Sequence, residues 1–227
     1  MIILIETSAE FPSIGLISLD GRCLYHEEGK GFHSHAEMLP AMVQRTVAFA
    51  RESLVDGGRL LAVALNKGPG SYTGLRIGSS MAKGLCYGLK IPLIAVCGFE
   101  SLARAAGLKN PQCEDIWVLM DARRDEVYAC NIHSIKGIVS PIQSLLLPND
   151  LLRSANQNTC FVGNANEKLR QLMDVHESQF WDQSPRADYL GDIALQKYHL
   201  KQFADVAYFE PLYLKDFVAG LSKNFLI

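Results

Sequence analysis

A glycine-rich segment, KGPGSYTGLRIG at 67–78, is the first stretch of the chain whose residue types and spacing are suited to chemistry. An apolar run precedes it and a helical pattern follows it, as in loops that bind phosphate. The nucleotide loop G-x-x-x-x-G-K-[ST] fails, because Arg76 replaces the lysine without a serine or threonine after it. The dinucleotide pattern G-x-G-x-x-G starts at Gly68 and Gly70 and fails at Thr73. The segment therefore matches neither nucleotide-binding template.

The helix predicted at 72–89 has an unusual glycine content. Each glycine inside a helix costs ~0.5–1 kcal/mol relative to alanine, so the loss needs a packing reason. At the helical period, one stripe carries Gly74, Gly78, Met81, Leu85 and Gly88, with Gly84 elsewhere on the same helix. Such a notched stripe admits another backbone, which belongs either to the chain's own fold or to another protein. The second interpretation predicts that Gly74→Leu abolishes association and leaves the monomer folded.

Two carboxylates follow apolar strands. Glu6 ends the first strand, next to Thr7, and Asp121 ends a strand in the second half. If the strands belong to two facing lobes, these residues form a cleft in which carboxylates bind magnesium through water. The alternative is that each residue caps a turn, and that the charged residues 123–125 are a solvated loop.

Histidine and cysteine spacing excludes the usual metal motifs. His33 and His35 are two residues apart, and neither H-x-x-x-H nor H-E-x-x-H occurs. Ser34 is instead a predicted helix cap, with Glu37 three residues later. The 6 cysteines are scattered without a C-x-x-C pair, which predicts reduced and mostly buried thiols and no metal site.

The bulk composition is that of an ordinary globular protein. In 227 residues, 48% are hydrophobic and 20% are charged, and the net charge of −2 gives no electrostatic hold on nucleic acid. Residues 1–10 lack a basic and apolar leader, and no apolar run approaches a membrane span. We expect a cytoplasmic protein without a membrane segment.

The same order of elements occurs twice along the chain. A three-strand meander is followed by alternating helices and strands, first from residue 2 and again from about residue 116. This predicts an α/β fold of two similar lobes, each a mixed sheet with helices on it. The predicted strands are 2–6, 14–19, 22–26, 60–65, 92–96, 116–120, 126–135, 138–147 and 159–162; the predicted helices are 35–54, 72–89, 99–106, 150–155, 167–176 and 187–203.

Several segments together resemble the TsaB family of tRNA threonylcarbamoyladenosine biosynthesis proteins. They are ILIETS at 3–8, HSHAEMLP at 33–40, KGPGSYTGLRIGSSMAKGL at 67–85, MDARRDEVY at 120–128, FVGN at 161–164 and EPLYLKDF at 210–217. The resemblance implies the two-lobed actin/Hsp70/sugar-kinase fold, with duplicated RNase H-like halves. It divides the chain into a first lobe, 1–106 plus 205–227, and a second lobe, 107–204.

The resemblance also implies a function. Such proteins are non-catalytic partners of a larger TsaD-like paralogue, which transfers a threonylcarbamoyl group to the adenosine beside the tRNA anticodon. A small TsaE-like ATPase joins them, tRNA is engaged indirectly, and the partner surface also makes a homodimer. The implied interface residues lie in the two matching helical segments: Ser34, His35, Met38, Leu39, Met42, Gly70, Ser71, Tyr72, Gly74, Leu75, Gly78, Met81 and Leu85.

Two departures from the family pattern concern nucleotide binding. Glu6 stands where many members have aspartate, and no glycine lies between Asp121 and Asp125, where the second phosphate loop is expected. The rival interpretation is a small-molecule kinase or ATPase that uses Glu6 and Asp121 with Mg-ATP. A metallopeptidase is disfavoured because its histidine motif is missing.

Overall fold

A computed structural model describes residues 1–30, 35–150, 156, 158–172 and 176–214 of the chain. The first sheet has the strand order β3-β2-β1-β4-β5. Its strands are β1 (Ile2–Glu6), β2 (Ser13–Ile17), β3 (Cys23–Glu28), β4 (Ala62–Asn66) and β5 (Leu93–Val96). Strand β1 pairs antiparallel with β2 and parallel with β4. Both faces of β1 are buried, which explains its continuous apolar sequence.

The second sheet has the order β11-β10-β6-β7-β8, and β9 also pairs with β7. Its strands are β6 (Asp115–Asp121), β7 (Glu126–His133), β8 (Gly137–Ile138), β9 (Gln143–Leu146), β10 (Thr159–Gly163) and β11 (Phe180–Asp182). Strand β6 is antiparallel to β7 and parallel to β10, as β1 is to β2 and β4. The predicted duplication of two mixed sheets is confirmed.

Five α-helices cover the sheets within the described residues. They are α1 (His35–Glu52), α2 (Tyr72–Leu89), α3 (Gly98–Lys109), α4 (Asn166–Arg170) and α5 (Gly191–His199). Ser71 caps α2 by accepting a hydrogen bond from the Gly74 amide at 3.2 Å. The helix ends at Leu89, and the following residue, Lys90, has a left-handed backbone; its amide still donates to the Cys86 carbonyl. Within the described parts of the chain, no helix is both long and apolar enough to cross a membrane.

Side chains alternate along β1, so the first sheet has one hydrophobic core on each face. Ile3 and Ile5 face one side, where α1 and α2 pack, and Ile2 and Leu4 face the other. That other side is covered by α5 and by a short 3-10 helix at Ala187–Leu190. Helix α3 packs on the second sheet, next to Ile116 and Val118.

The structure corrects several predicted boundaries. Residues 187–203 form a 3-10 turn and then α5, and both pack on the first sheet although the sequence placed them in the second lobe. Helix 167–176 shrinks to α4, and the hairpin partner 138–147 is interrupted and becomes β8 and β9. The short strand β11 was not predicted. Ser34 and residues 151–155 lie outside the described residues.

The expectation of six reduced cysteines is also corrected. Cys113 and Cys160 form a disulfide that joins the segment just before β6 to the neighbouring parallel strand β10. Sequence spacing could not show this, because the two residues are 47 positions apart and only strand pairing brings them together. Cys86, Cys97 and Cys130 are free and buried, and Cys23 is free and exposed.

We predict that reducing this disulfide lowers the free energy of unfolding by about 4 kcal/mol, because the closed loop restricts the unfolded chain. Urea unfolding with and without dithiothreitol measures the effect. Cys113→Ala/Cys160→Ala should be insensitive to the reductant, whereas the control Cys23→Ala should respond as the natural chain does. Equal stability of the natural chain in both conditions would contradict the prediction.

Candidate functional site

The glycine-rich segment is clamped by the chain itself. A methyl group built on Gly74 would overlap the carbonyl oxygen of Thr7, and one on Gly78 would overlap the Thr7 hydroxyl. Next to them, the Ser71 amide donates to the Ser8 carbonyl at 2.8 Å. The loop after β1 therefore fills the notch in α2. Gly74 and Gly78 are buried against the chain's own loop. A leucine at Gly74 would displace that loop, so Gly74→Leu is not expected to leave the monomer intact.

The same contact determines the direction of the Thr7 side chain. Its side chain is fully buried and directed at Gly78 of α2, instead of facing a cleft between lobes. The other end of the segment is also closed by the chain, since the Leu212 amide donates to the Lys67 carbonyl at 2.6 Å. A methyl group on Gly68 would lie 2.9 Å from the Leu212 oxygen. Gly70 likewise has no room for a side chain beside Ser8.

The carboxylate of Glu6 is the centre of a buried hydrogen-bond network in the first lobe. It is fully buried, and it accepts hydrogen bonds from the Ser8 amide and from Asn66 Nδ2, both at 2.6 Å. Asn66 also accepts a bond from the Gly68 amide at 2.9 Å. Burial raises the pKa of Glu6, and the hydrogen bonds from Ser8 and Asn66 oppose that shift. The network connects the end of β1 to the end of β4 and to the glycine segment.

Asp121 has a different environment in the second lobe. Its Oδ1 accepts from the Arg123 amide at 2.6 Å and from Lys168 Nζ at 2.8 Å. Burial is the largest single influence on the pKa of Asp121 and acts to raise it, but the hydrogen bonds and positive charges of Lys168 and Arg123 together outweigh burial, so the pKa is lowered. Lys168 also donates to the Arg124 carbonyl at 2.6 Å. Asp121 thus caps the 121–125 turn and is paired with a lysine, as the turn-capping alternative predicts.

Glu6 and Asp121 each take these hydrogen bonds from their own lobe. Among the residues that the structure describes, no three His, Cys, Asp or Glu side chains lie close enough together to hold a metal ion. His35 lies at the start of α1, where its Nε2 is 3.1 Å from the Ala9 carbonyl. Burial lowers the pKa of His35, so the neutral ring is favoured there.

Beside α1, the exposed side of α2 forms an open groove of about 560 Å³. We call it the α1/α2 groove; it is lined by Ala36, Arg76, Ile77, Ser80, Met81, Gly84 and Leu85. Ile77, Met81 and Leu85 are half-buried, and their inner sides pack on the core of the first lobe. Gly84 is exposed, and a methyl group built on it would meet no atom within 4 Å.

The interface residues implied by the sequence divide into three groups. Met81 and Leu85 line the groove. Leu39, Met42, Leu75, Gly74 and Gly78 are buried in the chain's own fold. His35, Met38, Gly70 and Tyr72 are half-buried and Ser71 is exposed, whereas Ser34 lies outside the described residues.

Arg76, Ile77 and Ser80 were not predicted, because the stripe that contains Gly74 and Gly78 shares only Met81 and Leu85 with the lining of the groove. The i, i+4 series 77, 81, 85 and 76, 80, 84 carry the signal that would have found them.

Comparison with known proteins places the chain in a family. A family model described as "TsaD: tRNA N6-adenosine threonylcarbamoyltransferase" matches residues 25–220, which is most of the chain. The chain belongs to the TsaB/TsaD family. The tRNA threonylcarbamoyladenosine biosynthesis protein TsaB of Haemophilus influenzae is 25% identical over 93% of the chain and 92% of its own length. TsaB of Escherichia coli is 35% identical over 56% of the chain and 52% of its own length, about half of each protein.

Similarity to solved structures supports the fold alone. YeaZ from Pseudomonas aeruginosa superposes with a TM-score of 0.74 at 24% identity, and covers 94% of this chain and 99% of that chain. An activator of 2-hydroxyisocaproyl-CoA dehydratase from Clostridium difficile has a TM-score of 0.52 at 6% identity, over 88% and 96% of the two chains. The two-lobed actin-like fold expected from the sequence is therefore confirmed.

We predict opposite effects of alanine at two glycines of α2. Gly84→Ala should raise the free energy of unfolding by up to ~1 kcal/mol, because alanine is the better helix former and the added methyl group meets nothing. Gly74→Ala should lower it by about 1–3 kcal/mol, because Thr7 and the helix must separate. Urea unfolding of the two variants tests the pair, and a stabilising Gly74→Ala would contradict the packing described above.

We also predict a pH-dependent effect of Glu6→Gln. The pKa of Glu6 is raised in the folded chain, so the natural protein should lose stability as the pH rises from 4.5 towards the folded-state pKa. Glutamine does not titrate, and the stability of the variant relative to the natural chain should therefore increase over that range. Unfolding in urea between pH 4 and 8 measures it.

The control for this experiment is Asp182→Asn. Hydrogen bonds from Arg170 lower the pKa of Asp182, so the natural chain loses that contribution as the pH falls. A pH-independent difference between Glu6→Gln and the natural chain would count against the raised pKa of Glu6.

Proposed function

We propose that this chain is a non-catalytic docking subunit in the formation of threonylcarbamoyladenosine in tRNA. Its family membership and the names of its TsaB relatives support a place in that process. The partner is a TsaD-like catalytic paralogue, which transfers the threonylcarbamoyl group to the adenosine beside the anticodon. A TsaE-like ATPase joins the complex, and tRNA is engaged through the paralogue, since the net charge of −2 offers no general attraction for phosphate.

The observation that carries the proposal is Gly84. Burial against Thr7 accounts for Gly74 and Gly78, whereas a methyl group on the exposed Gly84 or Gly88 would meet no neighbour. Of these two, Gly84 lines the α1/α2 groove. A glycine inside an exposed helix destabilises the isolated chain by roughly 1 kcal/mol relative to alanine. Close approach of a partner's backbone at the α1/α2 groove gives this glycine a packing role.

The groove has the composition of a helix-docking surface. Ile77, Met81 and Leu85 form an apolar line with the spacing of successive helical turns, and Arg76 and Ser80 provide a polar rim. An amphipathic helix that lies in such a groove buries the outer sides of these half-exposed residues. A second copy of the chain can use the same surface, which accounts for a homodimer in isolation.

Catalysis by the chain itself is not part of the proposal. A kinase of this fold needs carboxylates that are free to face magnesium and nucleotide. Here Glu6 is engaged by Ser8 and Asn66, and Asp121 by Lys168. These contacts favour structural roles for both residues.

We predict that Gly84→Leu weakens binding of the TsaD-like paralogue by roughly 10- to 100-fold, because an overpacked contact costs about 1–3 kcal/mol. The fold of the isolated variant should be unchanged, since the side chain points into open space. Isothermal titration calorimetry with the purified paralogue measures the affinity, and circular dichroism monitors the fold.

Gly107→Leu is the matched control. Gly107 also lies inside a helix, α3, and a methyl group there would make an ordinary contact at 3.7 Å with Ile116. It does not line the α1/α2 groove. Full affinity of Gly84→Leu for the paralogue would refute the proposed docking site, and so would an equal loss in both variants.

A further inference from the structure

A second cavity lies where the two lobes meet. It has a volume of about 810 Å³ and is lined by α3, by α5 and by the hairpin of β7 and β8. Helix α5 packs on the first sheet, whereas β7 and β8 belong to the second, so the cavity has one wall from each lobe. We call it the inter-lobe pocket. Its volume lies within the range of small-molecule sites, roughly 300–1,000 Å³.

The floor of the inter-lobe pocket is apolar and buried. It includes Ile116 and Ile132 of the second sheet and Ala103 of α3. Gly107 of α3 also lines the pocket, and a methyl group built on it would lie 3.7 Å from Ile116 Cδ1, which is an ordinary contact. The absence of a side chain at Gly107 therefore leaves the space above Ile116 open.

Large apolar side chains are exposed around the same pocket. Leu108, Leu200 and Ile138 all line it, and they are 70%, 59% and 50% exposed. The first belongs to α3, the second follows α5 and the third belongs to β8. Exposed apolar side chains from three separate elements thus gather at one cavity, as in sites that hold an apolar ligand.

Two polar groups of the lining have unused hydrogen-bonding capacity. Nδ1 of His133 accepts from the Ile135 amide at 3.1 Å, so the neutral ring carries its proton on Nε2 and can donate it to a ligand. Lys197 of α5 is half-buried and forms no ion pair or side-chain hydrogen bond with any described residue. An ammonium group beside an apolar cavity is stabilised by an anion.

The other charged residues of the lining already have favourable surroundings. Arg104 of α3 pairs with Asp192 of α5 at 3.0 Å. Glu100, the one acid among the described lining residues, lies in the first turn of α3, where the helix amino end favours its negative charge. Arg104 follows it one turn later on the same helix face. Lys197 is therefore the cation that is left for a ligand.

We propose that the inter-lobe pocket binds a small molecule that has an apolar body and a carboxylate head group. The carboxylate accepts hydrogen bonds from Lys197 and from His133 Nε2, and the apolar body lies against Ile116. Because such a ligand contacts α5 and the second sheet together, it stabilises the folded chain. The site does not depend on the proposed docking function, since the α1/α2 groove is formed by other elements.

The first experiment titrates the full chain with octanoate, which carries a carboxylate on an apolar chain. Isoleucine methyl groups are labelled with ¹³C, and the Ile116 signal is assigned with Ile116→Leu. We expect octanoate to shift the Ile116 signal in a saturable manner. Octylamine has the same apolar chain with a cationic head, and acetate has the carboxylate without the chain, so both should leave the signal in place. An absent or unsaturable shift with octanoate overturns the proposal, as does equal binding of octylamine.

Substitution of the cation tests the head-group contact. Lys197→Gln should weaken octanoate binding by roughly 10- to 100-fold, because a hydrogen bond to a charged group is lost. Lys136→Gln is the matched control: it makes the same change of charge at an exposed residue beside the pocket that does not line it. Equal affinities of the two variants for octanoate overturn the assigned role of Lys197.

Gly107→Leu tests the apolar part of the pocket and separates this site from the docking surface. The larger side chain fills the space above Ile116, so the octanoate shift should be lost. The same variant should keep its affinity for the TsaD-like paralogue, since Gly107 is outside the α1/α2 groove. Unchanged octanoate binding by Gly107→Leu overturns the proposal. If the natural chain binds octanoate but not the paralogue, the proposed function fails and the inter-lobe site stands.

Discussion

The close contact between the loop after β1 and the amino end of α2 is the constraint on which the first lobe depends. Thr7 and Ser8 fit against glycines that offer no side chain, and Glu6 and Asn66 connect the ends of β1 and β4 directly beside them. An added methyl group at Gly74 or Gly78 would move α2 away from the sheet. Since α2 also forms the wall of the α1/α2 groove, the shape of that surface is fixed by a contact in the interior.

Gly84 differs from Gly74 and Gly78 because it is exposed on the surface of α2, whereas the other two are buried. The cost of a glycine in a helix is the same at each position, but only the inner two have a neighbour that accounts for it. Two adjoining stripes of one helix thus differ: Gly74 and Gly78 pack against the loop after β1, and Gly84 faces the α1/α2 groove. In the second lobe, the contact between Asp121 and Lys168 also has a structural role, because it holds the 121–125 turn in place.

Much of the fold could be predicted from the sequence, and the bounds of β1 and α2 were predicted to the residue. The periodicity of α2 showed that a glycine stripe needed a partner, but Thr7 lies far away in sequence, so the partner appears only in the fold. The groove was predicted on a stripe one helical position away from its true place. The buried and the exposed stripes of α2 both contain glycine and apolar residues, so the sequence does not tell them apart. The three residues of β11 were too few for a period, and the Cys113–Cys160 pair depends on strand pairing that spacing does not encode.

The half-buried row of Ile77, Met81 and Leu85 has a consequence for the living cell. Apolar side chains that are left exposed when no partner covers them are also sites of unwanted self-association. Under the proposed function, the amount of this chain that a cell tolerates depends on the supply of the partner that covers the groove.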